Sequence, residues 1–210
     1  MSTLERTSIP SVAAKTNGNG SVVALDASYA VEVVLVGTAP ILFHRWDDAS
    51  VERKSRAAKG SQAKKSDDVE TYVYRTSDGE IGIPGKNFKA CLREAGRSLP
   101  DPRSPRKSAR DLVQSTVQIE PFIASLGRTT WDALDVQRVV LQRNAISRVR
   151  PIFREGWEVA FEVVVLAPEY VRPDWLHDLI TRAGRFIGLG DFRPDYGRFR
   201  MDTFQVKELL

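Results

Sequence analysis

The stretch Val136-Gln-Arg-Val-Val-Leu-Gln-Arg-Asn-Ala-Ile-Ser-Arg-Val-Arg-Pro-Ile-Phe-Arg154 carries Arg138, Arg143, Arg148, Arg150 and Arg154 without an acidic residue or a lysine. Arginine presents a planar fork that matches phosphate oxygens and a flat cation that stacks on rings, where lysine presents only a point charge. Arg148, Arg150 and Arg154 share strand parity, so an extended hairpin arm points all three to one side. The competing reading is a solvated face, or pairs with Glu158 and Glu162.

Two further segments hold groups of the same kind. Ile83-Pro-Gly-Lys-Asn-Phe-Lys-Ala-Cys-Leu-Arg-Glu-Ala-Gly-Arg97 opens a helix whose first backbone N–H groups lie beside Lys86 and Lys89, with Arg93 a turn later, a suitable place for an anion. Gly188-Leu-Gly-Asp-Phe-Arg-Pro-Asp-Tyr-Gly-Arg-Phe199 combines backbone freedom with Phe192, Arg193, Tyr196 and Arg198. It follows a helix instead of leading into one, and so fits neither the dinucleotide nor the P-loop pattern.

The remaining chemistry is sparse. Asp47 and Asp48, beside His44 and Arg45, read as stabilising charges at a helix start, since no second acidic cluster or histidine pair accompanies them. No catalytic residue and no metal or other cofactor is expected. His177 reads as structural or surface, and the lone Cys91 excludes an internal disulfide.

These segments need a scaffold. The Ser-, Asn- and Gly-rich residues 1–28 read as a flexible arm, and residues 29–210 as a single domain with insertions at about 45–68 and 99–155. Val31–Gly37 reads as a central strand, and Glu70–Thr76 with Glu80–Ile83 as a short hairpin turning at Ser77-Asp-Gly79. Phe88, Cys91, Leu92, Ala95 and Leu99 mark a helix. Pro100–Arg110 reads as a basic loop, followed by strand-like segments at Val113–Phe122 and Val136–Gln142. Trp157, Val159, Phe161, Val163 and Val165 alternate as a half-buried strand. A second helix runs from about Pro173 to Ile187, stopped by Gly188 and Gly190, and a last strand covers roughly Arg198–Val206. Without insertions the order is strand, helix, strand, strand, helix, strand. That predicts an α+β fold with a ferredoxin-like, RNA-recognition-type βαββαβ core.

The three segments together resemble the RAMP (repeat-associated mysterious protein) superfamily, especially the backbone subunits of CRISPR effector complexes, over roughly Val31–Val206. Ile83–Arg93 is similar to the family's helix start, and Arg143–Arg148 with Arg154–Phe161 to its protruding hairpin returning to a core strand. Gly188–Arg198 is similar to its C-terminal glycine-rich loop. Lys86 and Asn87 stand where the family has serines. The resemblance implies a thumb-like hairpin, head-to-tail stacking of copies, and a nucleic-acid backbone lying along the filament. A phage or other mobile-element relative acting on single strands fits equally.

The expectation is a non-catalytic, sequence-independent binder of single-stranded RNA or DNA, acting as a repeating, filament-forming cytoplasmic subunit. Other effector-complex subunits are further partners under the CRISPR reading, and no membrane is expected. Arg45, Lys86, Lys89, Arg93, Arg143, Arg148, Arg150, Arg154, Phe192, Arg193 and Arg198 are the expected contact residues. The resemblance also implies an alternative, a metal-dependent RNA endonuclease of the same fold, because some family members cut bound RNA with an aspartate in the loop after the first strand, where this chain has His44, Asp47 and Asp48. A second alternative is an assembly protein that binds no nucleic acid. The net charge of +4 is too small to decide, so the local clusters carry the reading.

Overall fold

The computed structural model describes residues 28–46, 48, 52, 55–56, 68–141 and 144–208. The arm at 1–28, apart from Ser28, most of the 45–68 insertion, Asp47 and Arg143 lie outside the described residues.

The fold is α+β. Its main sheet has four antiparallel strands in the order β12-β1-β11-β7, formed by Phe199–Glu208, Tyr29–Gly37, Glu158–Val165 and Val117–Glu120. Alternation in β1 buries Val31, Val33 and Leu35, and alternation in β11 buries Val159, Phe161, Val163 and Val165. Register keeps them on one face, with Val33 opposite both Phe161 and Phe204.

That face is covered by helices α1 (Gly85–Ala95) and α3 (Pro173–Arg182), whose apolar stripes follow the helical period. Phe88 of α1 stacks on Phe161 with ring centroids 4.7 Å apart. The opposite face is partly exposed and mixes Val34, Val36 and Val164 with charged groups, and there Lys207 Nζ meets Glu32 Oε2 at 2.7 Å. One packed face and one solvated face are the usual solution for an antiparallel sheet.

Smaller sheets hang from this core. β3 (Tyr74–Arg75), β4 (Ile81–Pro84) and β8 (Ile123–Arg128) form one, and β2 (Ile41–Leu42), β10 (Asn144–Phe153) and β9 (Ala133–Leu141) another. Pro84 ends β4 and caps α1, so the helix leaves its strand without a loop.

Several expectations are corrected. Glu70–Tyr72 lies in a 3-10 turn, not in a strand. Val113–Phe122 divides into helix α2 (Arg110–Thr116) and strand β7, the change falling where β-branched Thr116 and Val117 meet. β7 lies inside the stretch read as an insertion, yet it is the edge of the main sheet. Pro100–Arg110 holds a two-stranded ribbon, β5 (Pro100–Asp101) with β6 (Ser104–Ser108), braced by Arg103 Nη2 donating to Asp101 Oδ2 at 2.7 Å. The second helix stops at Arg182 and continues as a π-turn through Ile187.

Candidate nucleic-acid interface

The centre of the site is the glycine-rich loop that follows the π-turn. Leu189 N–H donates to Gly197 O at 2.8 Å, Asp191 N–H to Leu42 O at 2.9 Å, and Gly197 N–H to Pro40 O at 2.7 Å. The loop is thus fastened along β2. Two of its glycines are required there: at φ +79 a Cβ on Gly190 would stand 2.5 Å from Leu42 O, and at φ +73 one on Gly197 would stand 1.7 Å from Leu189 O. Phe192 also takes a positive φ, 51°. It is the only non-glycine residue to do so among the described residues, and such strain persists where its surroundings over-determine it.

The surroundings come from hairpin β9–β10. Its register sets Arg148 opposite Gln137 and Arg150 opposite Asp135. Gln137 Nε2 donates to Tyr196 OH at 3.3 Å, which ties this face of the hairpin to the loop. Arg150 has 6% of its surface exposed, with its Cζ 4.5 Å from the Phe192 ring centroid and its Nε 2.7 Å from Asp191 Oδ2. The charges meet without aligned hydrogen bonds: Arg150 Nε and Nη1, Asp191 Oδ2 and Asp135 Oδ2 have none among the described residues. His44 Nδ1 approaches the same Asp191 oxygen at 3.6 Å, while its ring packs edge-on against Tyr72.

Clefts open on both sides of the loop, and Gly190 and Asp191 line both. The first, about 320 Å³, is bounded by His44, Trp46, Tyr74, Lys86 and Asn87. The second, about 540 Å³, is bounded by Arg93, Glu94, Phe186, Phe192 and Arg193. At the first cleft Arg45 Cζ and Lys86 Nζ lie 5.4 and 5.8 Å from the Tyr74 ring centroid, within cation–π range. At the second, Arg193 is exposed and Arg93 half-buried, with Arg93 Nη1 donating to Gln114 Oε1 at 3.4 Å.

The structure therefore brings Arg45, Lys86, Arg93, Arg150, Phe192 and Arg193 to one loop and its clefts. Lys89 is half-buried on α1 between Lys86 and Arg93. The hairpin arginines do not line one exposed side as expected. Arg148 is half-buried, Arg150 is buried beneath the loop, and exposed Arg154 lies beyond the end of β10, lining a separate cleft with Arg128 and Asp132. The parity argument holds along the strand, but the glycine loop covers the face that carries Arg150. Arg198 turns back on the loop, its Nε donating to Pro194 O at 2.8 Å.

Trp46, Tyr74, Asn87 and Asp191 belong to the site and were not foreseen as contact residues. The available signal was Trp46, an aromatic residue at the head of a stretch almost devoid of apolar ones. Asp48 accepts from Trp46 Nε1 at 2.6 Å on the surface. Among the described residues no group of three or more His, Cys, Asp or Glu side chains is placed to hold a metal. Burial pushes the Cys91 thiol up to about 12, so it is no nucleophile at neutral pH.

No protein-family model matches the sequence, and no curated protein does. A similar solved chain comes from the cryo-EM structure of the Type III-B Cmr-beta bound to cognate target RNA. It is 13% identical with a TM-score of 0.50, and the match covers 87% of this chain and 61% of that one. The chain thus spans less than two thirds of that neighbour, and the likeness is one of fold. No helix among the described residues is long and apolar enough to cross a membrane.

Proposed function

We propose that this chain binds single-stranded RNA or DNA without sequence preference, as a non-catalytic, repeating subunit of a filament related to CRISPR effector backbones and the RAMP superfamily. The observation that carries the reading is the convergence of Arg45, Lys86, Arg193 and the Phe192 ring on the clefts beside one glycine loop. Cations at the rims of clefts with exposed rings suit a flexible polyanion whose bases are unstacked.

The ferredoxin-like reading of the core is supported by the order β1, α1, β7, β11, α3, β12 within the antiparallel sheet β12-β1-β11-β7. The structural neighbour's presence in an RNA-bound complex supports RNA and other effector subunits as partners. Head-to-tail self-association and cytoplasmic location belong to the same proposal. Hairpin β9–β10 stands for the arginine-rich arm.

Fluorescence anisotropy of a labelled single strand over a salt series tests the binding. Affinity should fall steeply as salt rises, because each phosphate contact releases counterions. A flat response, or tighter binding to duplex, rejects the reading. The strand should stay intact in Mg²⁺ or Mn²⁺, and cleavage abolished by Asp47→Ala or Asp48→Ala would favour the endonuclease instead.

A further inference from the structure

We infer that the cleft between Trp46 and the start of α1 is a pocket for one unstacked nucleobase, with Trp46 as its stacking platform and Lys86 and Arg45 as its phosphate rim. This rests on the single-strand reading above and adds a defined base-binding subsite to it.

Trp46 is 71% exposed, an unusual state for the largest apolar side chain, yet it lines a concave space and not a flat surface. The volume of about 320 Å³ is at the small end of the range for ligand sites, which suits a single nucleotide. The cleft separates its functions. Tyr74 is already occupied by two cations, since Arg45 and Lys86 both lie within cation–π distance of its ring, so it acts as the post that holds positive charge at the rim. Trp46 is fastened through its Nε1 to Asp48, which fixes the indole by its polar edge. Asn87 also lines the cleft, a side chain that can both donate and accept, and so does His44, whose Nδ1 lies 3.6 Å from Asp191 Oδ2.

Depth at the floor is set by Gly190. A Cβ there would collide with Leu42 O and the Ile41 side chain, so the loop lies as low as backbone allows. Asp191 lines the same cleft with Arg150 Nε 2.7 Å and His44 Nδ1 3.6 Å from its Oδ2, and the buried Arg150 cation offsets part of its repulsion toward a phosphate.

The experiment compares a short single strand with an abasic strand of the same length and charge, binding each to the full chain and to Trp46→Ala, Trp46→Phe and Lys86→Ala. If the pocket takes a base, the natural strand binds roughly ten- to a hundredfold tighter than the abasic one. Trp46→Ala should abolish that ratio and Trp46→Phe restore most of it. Lys86→Ala should weaken both strands alike and leave the ratio unchanged. Equal binding of the two strands to the unaltered chain, or a ratio that survives Trp46→Ala, overturns the pocket while leaving the electrostatic reading intact. Failure of every strand to bind overturns both.

Discussion

The core under the main sheet and the joint under the glycine loop are both buried, yet they are built from opposite materials. In the core Phe88 lies on Phe161 among Val33, Leu92 and Leu176, and the polar atoms of Tyr29 and Trp157 are paired, Tyr29 OH donating to Val171 O and Trp157 Nε1 to Ala39 O. In the joint Arg150, Asp135 and Asp191 meet with several polar atoms lacking aligned partners. Apolar contacts tolerate small displacement, whereas buried charges stabilise only when registered against one another. The core therefore supplies stability, and the joint fixes where the loop, and with it Phe192, must stand.

Truncation of each region should separate these roles. Phe88→Ala should cost about 3–5 kcal/mol in denaturant unfolding, through lost burial and a cavity between helix and sheet. Arg150→Ala should cost less, about 2 kcal/mol, because partly exposed Asp191 regains water while the Phe192 ring loses its support. Arg148→Ala, on the same strand face but half-buried, should cost under about 1 kcal/mol. An Arg150 loss as large as that of Phe88 would make the joint a second core and erase the distinction.

The exposed cations form the next step down. Lys86→Ala and Arg193→Ala should leave the melting curve unchanged and each lower the salt slope of binding by about one, whereas Arg172→Ala, away from the clefts, should not. Unequal effects would show which cleft carries more of the backbone.

The smallest effect is in acid and lies outside both regions. Hydrogen bonding from Arg103 holds the Asp101 carboxyl below its usual range, against the opposing pull of burial. The unfolded chain then takes up this proton more readily, so the contribution is present above about pH 4 and is lost as pH falls through the depressed folded value. Asp101→Asn should flatten this part of the stability curve, measured by thermal melts from neutral pH downward.

Strands β1, β11 and β12 and helices α1 and α3 were legible because each faces a single core, so burial imprints its period on the residues. Helix α2 was not, since Leu112, Val113, Val117 and Ile119 satisfy the helical and the extended period in turn, so that the expected strand at Val113–Phe122 covered both the end of the helix and β7. The ribbon β5–β6 has no apolar signal in Ser104-Pro-Arg-Lys-Ser108, and it forms through pairing and the Asp101–Arg103 brace. The three segments carrying the site were visible from their arginines, rings and glycines. The burial of Arg150 was not, because it depends on a loop some forty residues later folding over the hairpin, on the order of the separations that local patterns cannot report.

The central strand of the main sheet has a further consequence in time. β1 is flanked by β11 and β12, and Tyr29 lies opposite Glu208. At ribosomal speeds of about 5–20 residues per second, β1 waits on the order of ten seconds or more before its second neighbour exists. Its valine-rich edge is exposed to other nascent chains for that interval, and sheet closure by so distant a pairing is slow in its own right. Yield in the cell should therefore respond to translation rate and to chaperone supply more strongly than the equilibrium stability of the finished chain implies.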